Sequence, residues 1–190
     1  MAIPQAIQNL RLVSAFKCYH PDITSLIDSS TDSFVYVVDD EAMKVSRLAS
    51  KEEGEMNGFI AENTQNNSVF LLPIDHKLLN SLPGGVADCA LFDEKTFAFI
   101  EFKTNASGHS YNSIEYTYNK AVSQIENTLG VFKSCIANVH LDFLKTIRVM
   151  AYVVVSPMFP RANATEQNLI VDFATHTGLE LSFDSYHKFS

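Results

Sequence analysis

The sequence predicts a mixed α/β domain, a β-sheet with helices packed on it. Three observations carry this. Val86–Phe92 and Thr96–Lys103 are apolar runs on either side of Asp93-Glu94-Lys95, a hairpin signature. Ser113–Ala137 places Ile114, Tyr118, Ala121, Val122, Ile125, Leu129, Phe132 and Ile136 within a sector about 100° wide on a helical wheel, one buried face. Ile147–Val155 reads as a buried strand, apolar throughout Val149–Val155 and ended by Ser156-Pro157. The remaining elements follow in chain order. Residues 1–32 carry a weak helical pattern broken at Pro21. Phe34–Val38 and Ala42–Val45 flank Asp39-Asp40-Glu41 and read as a second hairpin. Lys51–Thr64 reads as a helix containing two glycines, Gly54 and Gly58. Val69–Leu72 is a short strand, and Pro83-Gly84-Gly85 is a turn. Thr165–Thr175 reads as a helix stopped at Gly178, and Leu179–Phe183 as a last strand. Residues 1–50 form an N-terminal extension whose hairpin packs on a core built from 51–190, the whole being one globular domain.

Composition narrows the function. Hydrophobic residues make up 46% and charged residues 19% of 190 positions, enough apolar side chain for a packed core. No apolar run reaches the ~18 residues of a membrane span, and the N-terminal segment lacks the apolar core of a signal peptide. Cys18, Cys89 and Cys135 show no paired spacing, which points to a reducing compartment, the cytoplasm, and away from a structural zinc site or a disulfide framework. The net charge of −8 counts against a generic electrostatic binder of nucleic acid. The distribution is uneven: residues 51–100 hold three basic and eight acidic residues, residues 101–150 five basic and four acidic. No G-x-S-x-G elbow and no glycine-rich phosphate loop is present.

The hairpin carries the chemistry. With the turn at 93–96, paired positions sum to 189, so Asp88 stands directly opposite Glu101. Two carboxylates there repel, and Glu101 sits in an apolar strand among Phe99, Ile100 and Phe102. A divalent cation held by both offsets that cost. Lys103 lies two residues on, projecting from the same face. Asp, Glu and Lys thus converge at the end of one hairpin, a set suited to phosphodiester hydrolysis: carboxylates for the ion, an ammonium for the developing negative charge. Beside the helix's apolar face, Thr117, Lys120, Gln124 and Thr128 form a polar stripe. Simpler readings stand alongside. Asp88 fits a strand-entry residue after a glycine turn, and Glu101 fits a salt bridge with a neighbouring lysine.

The segment GGVADCALFDEKTFAFIEFK resembles the motif of the PD-(D/E)xK nuclease superfamily, of restriction-endonuclease-like fold. The resemblance spans roughly residues 51–156, in the order helix, strands, helix, strand. It implies a mixed sheet flanked by helices, with Asp88 and Glu101 as metal-binding carboxylates, the Phe102 main-chain carbonyl as a further ligand and Lys103 as the catalytic lysine. Ala87 stands where the name-giving proline would be. The resemblance further implies a polar residue facing the site from the following helix, Gln124 first and Lys120 second, and a glutamate from the first helix. That glutamate is Glu55, beside Met56 and Phe59, with Glu52 and Glu62 as alternatives. Mg²⁺ is then the cofactor, with Mn²⁺ as substitute, and the substrate is nucleic acid, DNA in the first place. Partners would be a second copy of the chain or a protein supplying DNA affinity. A catalytically inactive nuclease-fold module is the alternative, and an enzyme acting on RNA or a nucleotide is a third reading. His109 reads as a loop residue; Tyr111, Tyr116 and Tyr118 could stack on bases, but such tyrosines are more often core or rim residues, and Tyr118 belongs to the buried face.

Overall fold

A computed structural model describes residues 3–80, 82–106, 110–161 and 163–189. The elements, in chain order, are α1 (Gln5–Asn9), α2 (Leu12–Ala15), a 3₁₀ turn (Ile23–Leu26), β1 (Asp28–Ser30), β2 (Phe34–Asp40), β3 (Val45–Ala49), α3 (Lys51–Asn57), β4 (Phe59–Asn63), β5 (Val69–Pro73), β6 (Cys89–Phe92), β7 (Thr96–Lys103), α4 (Tyr111–Ala137), α5 (Phe143–Thr146), β8 (Arg148–Val155), α6 (Asn163–Thr177), β9 (Glu180–Ser182) and β10 (Tyr186–Phe189). The fold is α+β.

Two sheets form. Six strands run in the order β1-β5-β6-β7-β8-β9, and four in the order β10-β4-β2-β3. In the larger sheet β5, β6 and β7 are antiparallel neighbours. β7 pairs in parallel with β8 along its whole length, and α4 lies in the crossover between them, as a parallel pair requires. β7 and β8 are buried on both faces over most of their length and, apart from Glu101 and the strand-end residues Thr96, Lys103 and Arg148, are apolar throughout.

Alternation along β7 divides the core. Phe97 and Phe99 face the helices and pack with Phe132 of α4 and Phe143 of α5. Ala98, Ile100 and Phe102 face the small sheet, meeting Val35, Val37, Phe59 and Ala61. The layers are helices, large sheet, small sheet. Phe16, just after α2, closes the helical side, its ring 4.5 Å from that of Phe132.

The wheel's apolar face on α4 is the buried one, with Ile114 half-buried and Cys135, Gln124 and Thr128 buried beside it. Several elements differ from expectation. The helix expected over 51–64 stops at Asn57, and Phe59–Asn63 is a strand. Its two glycines are close approaches to β2: a Cβ on Gly54 would sit 2.5 Å from the Tyr36 side chain, and one on Gly58 2.7 Å from the Val37 carbonyl. Burial then alternates along Phe59–Asn63, which suits a sheet face. The second strand of the first hairpin is Val45–Ala49, so Asp39 and Asp40 lie within β2. β4 and β10 extend that hairpin into the small sheet. The first strand of the central hairpin begins at Cys89 because the backbone of 86–88 bonds elsewhere, as described below. No helix among the described residues is long and apolar enough to cross a membrane.

Phe132 touches four other rings, those of Phe16, Phe97, Phe99 and Phe143. Phe132→Ala should therefore lower stability by about 3–5 kcal/mol, read as a lower urea midpoint with an unchanged slope. A loss below about 1 kcal/mol would mean that this cluster does not anchor α4 to the sheet.

Candidate active site

The ladder between β6 and β7 pairs Cys89 with Ile100 through Phe92 with Phe97, the predicted register. Beyond Cys89 the backbone of the first strand turns to side chains. The Asp88 N–H donates to Glu101 Oε2 at 3.2 Å, and the Phe102 N–H donates to Asp88 Oδ2 at 2.6 Å. Each carboxylate thus caps a main-chain amide of the opposite strand. The Asp88 carbonyl accepts from the Ile74 and Asp75 amides.

The helix side is equally determined. Val86 O accepts from Gln124 Nε2 at 3.0 Å, and the Ala87 N–H donates to Thr128 Oγ1 at 2.7 Å. Thr128 in turn donates to Gln124 O. Ala87 has a physical reason here, because proline carries no N–H and would leave the buried Thr128 hydroxyl without that donor. Gly84 and Gly85 have φ of +86° and +81°, and a Cβ on Gly85 would press on Gln124 at 3.1 Å. The double-glycine turn lets the chain pass this close to α4.

Lys103 Nζ bonds to Glu101 Oε1 and, at 3.0 Å, to Gln124 Oε1. Among the described residues two of its three N–H bonds are committed, leaving one for an incoming acceptor. Gln124 therefore holds Lys103 with its oxygen and the glycine turn with its nitrogen. In an extended strand a residue's N–H and C=O look to the same edge. The Phe102 carbonyl accordingly looks, with its amide, toward Asp88.

The electrostatics are unfavourable as they stand. Glu101 has 0% exposure. Its carboxyl is raised well above the ordinary glutamate range, first by burial and then by the Asp88 charge, with Lys103 pulling the other way. Asp88 is raised to about 7, first by burial and then by Asp39, against the Phe102 amide and Lys103. One close cation thus faces two carboxylates in a water-poor setting.

Asp88 also lines a cavity of about 230 Å³ with Asp39, Glu41, Lys44, Val45, Ser46, Asp75 and His76. Asp39 and Asp75 add to the negative field and were not foreseen as neighbours of the site. Their approach depends on the small sheet and on the β5–β6 connection, and no local pattern encodes it. Lys120 is exposed at the rim, bordering an open groove with Gln124. Glu55 is not brought to the carboxylates. It is exposed on α3, with Lys51 Nζ 3.6 Å away, and is absent from the linings of the two cavities beside the site. The reason is that α3 packs on the small sheet. Glu52 is exposed too, and Glu62 bonds Lys188 and Tyr186. Tyr118 is buried and donates to Glu166. His109 lies outside the described residues.

Among the described residues no three His, Cys, Asp or Glu side chains stand close enough to hold a metal ion together. A Mg²⁺ site commonly takes only one or two carboxylates and completes its shell with water and substrate phosphate. Asp88, Glu101 and the Phe102 carbonyl fit that donor set, and their unmatched charge is what a cation would neutralise. Comparison with known proteins finds no family model, no curated protein and no solved structure that matches the chain.

The raised carboxyls predict a pH dependence in chelator. An acid whose folded pKa exceeds its unfolded value stabilises fully below the unfolded value, and that stability is lost as pH rises through the folded one, at about 1.4 kcal/mol per unit per group. For Asp88 the window runs from about 4 to about 7. Burial lowers the His187 imidazole, which works in the opposite sense. The informative quantity is therefore the difference between wild type and Glu101→Gln. Between pH 5 and pH 8 wild type should lose stability relative to Glu101→Gln, by at least about 1 kcal/mol. A difference that is flat or of opposite sign would contradict the electrostatic account.

Proposed function

We propose that the chain is a metal-dependent nuclease that hydrolyses phosphodiester bonds, with DNA as first substrate. The observation that carries this is the reciprocal pair: Asp88 and Glu101 each accept a main-chain amide across one strand end, with Lys103 on Glu101. The order of three antiparallel strands, a long helix and a strand parallel to the third supports the resemblance to PD-(D/E)xK nucleases. So does the Gln124 contact, because a polar residue reaching the site from that helix is what the resemblance implies.

Asp88, Glu101 and the Phe102 carbonyl would hold the cation. When bound there, Mg²⁺ supplies positive charge at the scissile phosphate and makes water a stronger nucleophile. The protein's own groups do the rest. Lys103 offers its remaining N–H to a phosphate oxygen or to the attacking water. Gln124 fixes the Lys103 ammonium, limiting rotamers that would otherwise have to be ordered during reaction. The Phe102 and Asp88 amides orient the two carboxylates, so the pair is held in place before an ion arrives.

A second reading is a nuclease-fold module without catalysis. The net charge of −8 and the commitment of Lys103 to Glu101 favour it. Two measurements separate the readings. Purified protein with Mg²⁺ or Mn²⁺ should nick or cleave DNA, and EDTA should abolish it. Glu101→Gln should lower the rate by at least about a hundredfold while retaining the fold, since the swap is nearly isosteric. Lys103→Ala should lose a similar factor in rate yet keep the rise in melting temperature that Mn²⁺ produces, because lysine acts on phosphate and water and not on the ion. Cleavage that survives EDTA or Glu101→Gln would refute the nuclease mechanism. No cleavage of single-stranded, duplex, branched or RNA substrates would favour the module.

A further inference from the structure

The surroundings of the carboxylate pair differ sharply on its two sides. Toward the small sheet lie two cavities. One, of about 230 Å³, is lined by Asp39, Glu41, Asp75 and Asp88 with Lys44. The other, of about 310 Å³, carries Asp39, Asp40, Glu41 and Glu53 with Arg47, and reaches Thr104 and Asn105 just past Lys103. Arg47 is itself bound to Asp40 and Glu53. A phosphate backbone meets net negative charge along this side.

Toward α4 lies an open groove of about 610 Å³, lined by Gly84, Gly85, Tyr116, Asn119, Lys120, Ser123 and Gln124. Among the described residues its lining holds one charged side chain, and that is a cation. Tyr116 and Lys120 are four residues apart and share a helix face with Ser123. Tyr116 is 67% exposed, so one face of its ring is open to an incoming base. Gln124 belongs both to the groove lining and to the Lys103 contact, so one side chain joins the groove to Lys103. From Tyr116 to Gln124 the helix rises about 12 Å. That accommodates a few nucleotides of one strand and is far short of the about 34 Å of a duplex turn.

Resting on the nuclease reading, we propose that the substrate is single-stranded nucleic acid, or an unpaired end, laid along α4. A base stacks on Tyr116, a phosphate sits at Lys120, and the strand enters the cleft past Gln124. The acidic side repels a second strand, so a duplex lacks the flanking cationic contacts on which its binding depends. The same arrangement explains how a chain of net charge −8 can engage a polyanion: only a short, neutral-to-basic strip needs to do so.

The test measures fluorescence anisotropy of labelled oligo-dT, oligo-U and a duplex of equal length, with wild type in EDTA so that nothing is cut. At least one of the two single strands should bind about tenfold or more tightly than duplex. Tyr116→Ala should weaken that binding about tenfold, and Tyr116→Phe should restore it, because the ring stacks and the hydroxyl does not. Lys120→Ala should reduce the slope of log affinity against log salt by about 0.7, one phosphate contact of a single strand. Both alanine variants should keep the Mn²⁺-induced rise in melting temperature, since neither Tyr116 nor Lys120 is among the carboxylates that would hold the ion. Duplex binding as tight as single strand, no binding of either strand, or less than about a twofold effect of Tyr116→Ala would overturn the proposal. Metal-dependent cleavage that persists through any of those outcomes would leave the nuclease reading in place.

Discussion

A carboxylate with no exposure to solvent, Glu101, sits in a strand that is apolar between Phe97 and Phe102 but for Glu101 itself, and a second, Asp88, stands beside it. Burying one charge unpaired costs several kcal/mol, and two like charges cost more. The local structure divides this load. The Asp88 and Phe102 amides, freed where the β6–β7 ladder ends, each donate to the other strand's carboxylate. Lys103 neutralises one charge, and Gln124 holds Lys103 in place. Among the described residues no cation pairs with the second charge, and that asymmetry is the reason to read the site as one that takes an ion. A salt bridge built only for stability would not need Asp88.

Such a site demands rigid surroundings, and the three layers supply them. β7 is fixed by antiparallel pairing to β6 and by an eight-residue parallel pairing to β8. Its aromatic face is clamped by Phe132 and Phe143, its other face by the small sheet. α4 is tied to the 83–88 segment through Asn127, Gln124 and Thr128, which bind the Gly85 and Val86 carbonyls and the Ala87 amide. The helix that covers the core thereby also positions the lysine. Packing and site geometry are coupled through one element, so cavities made near Phe132 should be felt at Lys103.

Much of this was legible in the sequence for local reasons. A two-stranded hairpin fixes its own register once the turn is placed, so Asp88 opposite Glu101 follows from counting. Lys103 follows from parity, and the polar stripe Thr117, Lys120, Gln124 and Thr128 from the helical wheel, because both periodicities are intrinsic to the backbone; the choice of Gln124 within that stripe rests on the family resemblance. What escaped was non-local or glycine-dependent. The Lys51–Thr64 helix ended early because Gly54 and Gly58 serve close contact with β2, which no helical period reveals. β10 pairs with β4 across more than a hundred residues, and its four residues carry no distinctive pattern. Glu55 was placed by analogy with a helix that here belongs to the other sheet, and Asp39 and Asp75 reach the site only through tertiary packing.

The proposed nuclease mechanism requires the Asp88–Glu101 pair to hold a cation. X-ray diffraction at the manganese edge from crystals soaked in Mn²⁺ tests it most directly. The account predicts an anomalous peak in contact with one oxygen of each carboxylate and with the Phe102 carbonyl. A soaked crystal with no peak there, or with its peak in the Asp39–Asp75 cavity away from Glu101, would contradict it.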